Sequence, residues 1–235
     1  MENALTKLGL IAAIVSLAAC ETIPPTVDTE ASVDQMSYDG LYPMNNTRVD
    51  QAWAREDLDL AGYNRFMIQS AGIQYRPVKA SAGSRYAASR GVTEFPINLK
   101  QRQRLEDALR ESFTDELGGS DRLEIVSEPG PDVLLVRGAL LDVVSHVPPE
   151  RTGRGGVFID SVGEATLLVE LVESETGTVL VRALDRRSAE QQGRMTESNS
   201  VSNMAEVRRL TRSWARLLRS RLEDILDQLG VAVES

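Results

Sequence analysis

Cys20 is the only thiol in the 235 residues, and His146 is the only imidazole. Those two counts bound the chemistry. A zinc site draws several ligands from Cys and His, so no metal centre and no metal cofactor are expected. A disulfide within the chain is excluded. His146 directly follows Ser145, and adjacent strand residues point to opposite faces. The two cannot act on each other as base and nucleophile, which favours a strand-end histidine over a hydrolytic triad with another serine. No EF-hand-like run of oxygen ligands occurs. Gly153-Arg154-Gly155-Gly156 lacks the Lys-Ser/Thr of a phosphate-cradling loop. Carboxylates remain as an enzymatic option: Asp142, Glu164, Glu170 and Asp185 fall in or beside predicted strands. Two such groups at a set separation across a cleft cleave glycosidic bonds. Against that, four Phe, five Tyr and two Trp give a sugar few surfaces to stack on.

The place of Cys20 points to acylation. Leu8 to Ala19 is apolar apart from Gly9 and Ser16, with Lys7 before it and the small residues Ala18 and Ala19 at its end. That is the layout of a secretory signal. Twelve residues span roughly 18 Å as a helix, short of the ~20 residues that cross a bilayer. Leu17-Ala18-Ala19-Cys20 looks like the lipobox of a bacterial lipoprotein. The thiol then becomes a thioether to a diacylglyceryl group, and Cys20 becomes the mature N-terminus. Each buried methylene contributes about 0.8 kcal/mol, so two or more acyl chains hold firmly where one holds marginally. Glu21 follows the cysteine. By analogy with lipoproteins, where Asp at that place retains the inner-membrane location, Glu implies the outer membrane, facing the periplasm.

The formal net charge is −9, and removing residues 1–19 takes away one acid and one base, leaving it unchanged. An acidic domain argues against nucleic-acid partners. Local basic surfaces remain. The loop Pro148–Asp160 holds two prolines, Arg151, Arg154 and three glycines, the composition of an exposed binding tip or of a plain long hairpin loop. Arg208, Arg212, Arg216 and Arg219 share one flank of the last predicted helix. That flank is available to anionic lipid heads or an acidic partner, or is a solvated helix face. Arg221 falls near the apolar face, where it needs a carboxylate partner.

These groups are positioned by a predicted order β-α-β-β-β-β-α. Residues 20–35 carry prolines, threonines and acids without apolar periodicity, the composition of a disordered tether. Residues 36–50 read as an extended arm. Arg65–Tyr75 reads as a strand. Asn98 is a helix N-cap, and Leu105, Ala108, Leu109, Phe113 and Leu117 make the stripe of the helix it starts, which Gly118-Gly119 ends. Strands follow at 123–127 and 132–147. The latter is apolar on both faces and therefore central, with Gly138 a candidate bulge. Strands 164–173 and 178–187 flank the hairpin signal Ser174-Glu175-Thr176-Gly177. A helix from about 202 to 229 turns Val207, Leu210, Trp214, Leu217, Leu218, Leu222 and Ile225 to one face, and Gly230 stops it. The fold class is α+β: a two-layer sandwich of a mostly antiparallel sheet and two amphipathic helices. It forms a single periplasmic domain over 36–230 with a short tail at 231–235.

Three segments carry a family resemblance: Asp59-Leu60-Ala61-Gly62-Tyr63, Glu128-Pro129-Gly130-Pro131-Asp132-Val133-Leu134 and Glu173-Ser174-Glu175-Thr176-Gly177. With them the chain, from about 36 to 230, resembles the bacterial lipoproteins catalogued as domain of unknown function three-three-one-three. Glu173 stands where that family's hairpin usually opens with Asp. The resemblance implies no activity, cofactor or functional residue. The element order is also similar to small periplasmic domains of lipoproteins that activate cell-wall synthases, a likeness of fold alone. The expectation is a lipid-anchored, non-catalytic binding or accessory domain, held to the membrane by its lipid and contacting another envelope protein. The alternative is a carboxylate-dependent envelope hydrolase.

Overall fold

The 132–147 run becomes a central strand, paired along both of its edges. In a computed structural model, which describes residues 24–79, 82, 88, 91–148, 158–190, 196–197 and 199–228, ten strands and two helices follow in chain order. The strands are β1 (Thr26–Val27), β2 (Tyr42–Asn45), β3 (Gln51–Ala54), β4 (Arg65–Tyr75), β5 (Glu124–Ile125), β6 (Val133–Ser145), β7 (Phe158–Ile159), β8 (Ser161–Glu173), β9 (Val179–Glu190) and β10 (Thr196–Glu197). Helix α1 (Leu99–Gly118) lies between β4 and β5, and α2 (Ser200–Gln228) follows β10. The main sheet runs β1-β2-β3-β9-β8-β6-β4-β5, and β7 pairs with β10 separately. Pairing is antiparallel except where β4 lies parallel to β6 and β5. This is the expected α+β architecture.

Period-2 alternation divides the two sheet faces. Phe66, Leu134, Val136, Leu140, Val143, Ala165 and Leu167 turn to the helices and pack with Leu117, Trp214, Leu218, Leu222 and Ile225. Helix α1 starts at a capping box: the Asn98 side chain accepts from Gln101 N–H at 3.0 Å, and the Gln101 side chain accepts from Asn98 N–H at 2.8 Å. Its stripe packs as expected. Between the helices, the buried hydroxyls of Ser112 and Thr211 meet at 2.7 Å, so each satisfies the other where no water reaches.

The other sheet face is partly covered by the N-terminal arm. Part of the expected tether is ordered: Thr26–Val27 pairs with Asn45 and Met44, and Val33–Gln35 forms a single tight turn. Within the expected arm, 36–50, only Tyr42–Asn45 is strand; it pairs with β3, which follows the arm and lies beside β9. A register irregularity does fall beside Gly138, but its extra residue is in β4, between Ser70 and Gly72, opposite Gly138 and Ala139; towards β8, Gly138 keeps regular register with Val169. The irregularity in β6 falls between Leu141 and Val144. There Asp142 adopts φ 57°, a left-handed conformation that Asp tolerates better than most residues.

Gly163 shows how closely β6 and β8 approach. A Cβ there would run into the carbonyl oxygen of Val144, backbone that cannot swing aside. Gly163→Ala is expected to cost about 1–3 kcal/mol, the range for overpacking. Differential scanning calorimetry should then show a melting temperature several degrees lower.

Candidate binding site

The four strand carboxylates are each engaged by arginine. Arg76 is a hub. Its Nε donates to Asp142 at 2.8 Å, its Nη1 to Glu94 at 2.7 Å, and its Nη2 lies 2.7 Å from Glu164. The bulge in β6 aims Asp142 at this guanidinium. Arg186 also donates to Glu164, at 2.6 Å. Hydrogen bonding to Arg76 holds the Asp142 carboxyl below the usual carboxylate range. Burial pushes Glu164 up, but Arg186 and Arg76 together bring it below its ordinary value. Glu170 accepts from Arg182 Nε and Arg137 Nε, both at 2.8 Å. Asp185 accepts from the Trp214 indole N–H at 2.8 Å and pairs with Arg187 at 2.6 Å. A general acid near neutral pH needs a raised pKa; Asp142 and Glu164 are shifted the other way. Asp185 lies under α2, whereas Glu170 faces the arm, so these two share no cleft. Ser145 is buried, and its hydroxyl accepts from Val147 N–H at 3.0 Å. Among the described residues no group of three or more His, Cys, Asp or Glu could hold a metal ion.

Cys20, Arg151 and Arg154 lie outside the described residues. The α2 arginines face α1. Arg208 pairs with Glu111 at 3.7 Å, Arg216 with Glu116 at 2.9 Å, and Arg219 with Glu116 at 3.2 Å. They form a charged seam between the helices, each exposed pair contributing at most about 1 kcal/mol. Arg212 is exposed and has no ion-pair partner among the described residues. Arg221 is only half-buried and pairs with Asp224 on its own helix at 2.8 Å.

The cleft nearest to a ligand site was not legible in the sequence. It measures about 270 Å³ and opens at the far end of β4, between Tyr75, Val78, Phe95, Ile97, Arg102 and Val143. Backbone bonds fix both walls to β6: Arg76 N–H donates to Val143 O at 2.9 Å, and Phe95 N–H to Ser145 O at 2.8 Å. Arg102, in the first turn of α1, donates its Nε to Ile97 O at 3.1 Å. Its guanidinium carbon stands 4.2 Å from the centre of the Tyr75 ring, a cation–π distance. The Tyr75 hydroxyl is buried with no hydrogen-bond partner among the described residues. Burial and then the charge of Glu106 raise its pKa, and Arg102 opposes them. Among the described residues, no carboxylate lines this cleft.

Residues 30–218 match the family described as protein of unknown function (DUF3313). The chain belongs to that family. The matched stretch of this DUF3313 protein takes in the arm, the cleft and most of both helices. No curated protein matches the chain. Solved structures similar to it include protein XCC0632 from Xanthomonas campestris, 12% identical, covering 79% of this chain and 96% of that one at a TM-score of 0.39. A PelC dodecamer from Paraburkholderia phytofirmans is 11% identical over 67% of this chain and 89% of that one, TM-score 0.30. Rare lipoprotein B from Shewanella oneidensis is 14% identical over 73% of this chain and 100% of that one, TM-score 0.27. Likenesses this distant bear on neither partner nor activity. Among the described residues of this DUF3313 chain, no helix is long and apolar enough to cross a membrane.

Proposed function

We propose that this protein is a bacterial envelope lipoprotein, anchored through acyl chains on Cys20, whose domain acts by binding rather than catalysis. The observation that carries the anchor is the lone cysteine at the end of Leu17-Ala18-Ala19 and a twelve-residue apolar run. The ion-paired state of Asp142, Glu164, Glu170 and Asp185 supports the non-catalytic reading. Residues 1–19 are the signal, and the domain faces the periplasm from the outer membrane. The pairing of Thr26–Val27 supports a tether shorter than 20–35. The partner is another envelope protein, and no nucleic acid or metal is involved. Of the basic candidates read from the sequence, the loop Pro148–Asp160 and Arg212 remain for that partner.

Cys20→Ala tests the anchor. Cells fed labelled palmitate should label the native chain and not the variant, and the variant should move from the membrane to the soluble fraction. Equal label in both chains would overturn the proposal.

A further inference from the structure

The Tyr75 cleft has polar groups that the fold leaves unused. A buried hydroxyl without a partner is a standing cost to the fold. Arg102 spends one donor on Ile97 O and no carboxylate among the described residues pairs with it. Its remaining donors form a planar fork suited to a carboxylate. Arg76, on the same wall, is saturated by Asp142, Glu94 and Glu164. Among the described residues the cleft therefore offers one free positive charge, and the charge of Glu106 reaches Tyr75. A single negative charge is tolerated there and a dianion such as phosphate is disfavoured. Val78, Phe95, Ile97 and Val143 make the walls apolar. A volume of about 270 Å³ is at the small end for ligand pockets, enough for a short acyl chain or one apolar residue.

We infer that this cleft binds an amphipathic monocarboxylate, its carboxylate held by the Arg102 guanidinium and the Tyr75 hydroxyl and its apolar body against Phe95, Ile97 and Val143. The inference rests on the binding reading above and names the ligand class for it. A short fatty acid and the C-terminal residue of a peptide share this chemistry. Bound carboxylate satisfies the Tyr75 hydroxyl, and the apolar body leaves water.

The test uses the acylated full chain in phospholipid nanodiscs. Hexanoate and N-acetyl-leucine, each labelled at the carboxyl carbon, are titrated and followed by NMR, with hexanol as the uncharged control and empty nanodiscs as blank. At least one acid should bind saturably with a dissociation constant on the order of 1 mM. Tighter hexanoate binding points to a fatty acid and tighter N-acetyl-leucine binding to a peptide terminus; either supports the site. Arg102→Gln and Tyr75→Phe should each weaken binding about tenfold or more, as expected for a charge-assisted pair. Glu106 is exposed, so Glu106→Gln should fold normally and tighten binding about twofold by removing repulsion. Absence of saturable binding by both acids, hexanol binding as well as the acids, or unchanged affinity in folded Arg102→Gln and in Glu106→Gln would each overturn it. Acyl labelling of Cys20 reads none of these residues, so failure of the cleft leaves the anchoring test standing.

Discussion

Trp214→Ala is expected to destabilise the domain by roughly 3–5 kcal/mol, the cost of deleting a buried indole. Trp214 is 1% exposed and sits where α2 crosses the sheet, against Leu140, Val143, Ala165 and Leu167. Two effects add. The first is the cavity left among those side chains. The second is electrostatic: the indole N–H donates to Asp185 at 2.8 Å, and Asp185 is itself 6% exposed. Trp214→Phe separates them. It keeps much of the packing and deletes the donor, leaving Asp185 with Arg187. About 1–3 kcal/mol is expected from that loss. Urea unfolding measures both, and an unchanged slope would keep the comparison two-state. A loss below about 1 kcal/mol for Trp214→Ala would mean that the helix does not depend on this residue.

Elements that advertise themselves locally were legible in the sequence. Asn98 declares itself as an N-cap, although its capping-box partner Gln101 was not singled out, and the α1 and α2 stripes recur every three to four residues. The β8–β9 hairpin carries its own turn. What was illegible depends on distant partners. β1, β2 and β3 are two to four residues long, too short for a period to declare itself, and Arg182 lies 143 positions from the Asp39 it grips. The Gly138 reading marked the right place on the wrong strand: the extra residue lies in β4 between Ser70 and Gly72, while β6 itself bulges at Asp142, in a left-handed conformation with Arg76 as its partner. The α2 arginines were visible as a charged flank. Their pairing with Glu111 and Glu116 follows only once the helices are known to lie side by side. The cleft draws on residues 75–78, 95–97, 102 and 143, which no local pattern groups together.

Arg182→Met is the second large expected effect, roughly 3–5 kcal/mol, because it breaks a buried ion pair from one side. Arg182 and Glu170 are each 7% exposed. Arg182 donates to Glu170 at 2.8 Å, to Asp39 at 2.7 and 2.8 Å, and to the Tyr38 hydroxyl at 3.2 Å. Its guanidinium carbon also stands 4.8 Å from the Tyr38 ring centre. The substitution leaves the Glu170 carboxylate buried with Arg137 alone, and it frees the arm. Adding Glu170→Met removes the orphaned charge, so the double variant should recover much of the loss, as apolar replacement of a whole buried pair often does. The arm should stay loose in both, because Asp39 has lost its partner. Acid separates the two effects in the native chain. Hydrogen bonding to Arg182 lowers Asp39 from 3.8 to about 2. A carboxyl depressed in the folded state stabilises above its unfolded pKa, and that contribution is lost as pH falls through the folded value. Asp39 therefore holds the arm fully above about pH 4 and releases it as pH falls towards about 2. Amide protection across 37–45, taken relative to the intrinsic exchange rate at each pH, should fall in that window, and in Asp39→Asn should already be low at pH 7. Equal exchange in Asp39→Asn and the native chain at pH 7 would show that strand pairing of β2 and β3, rather than the Arg182 clasp, holds the arm on the sheet.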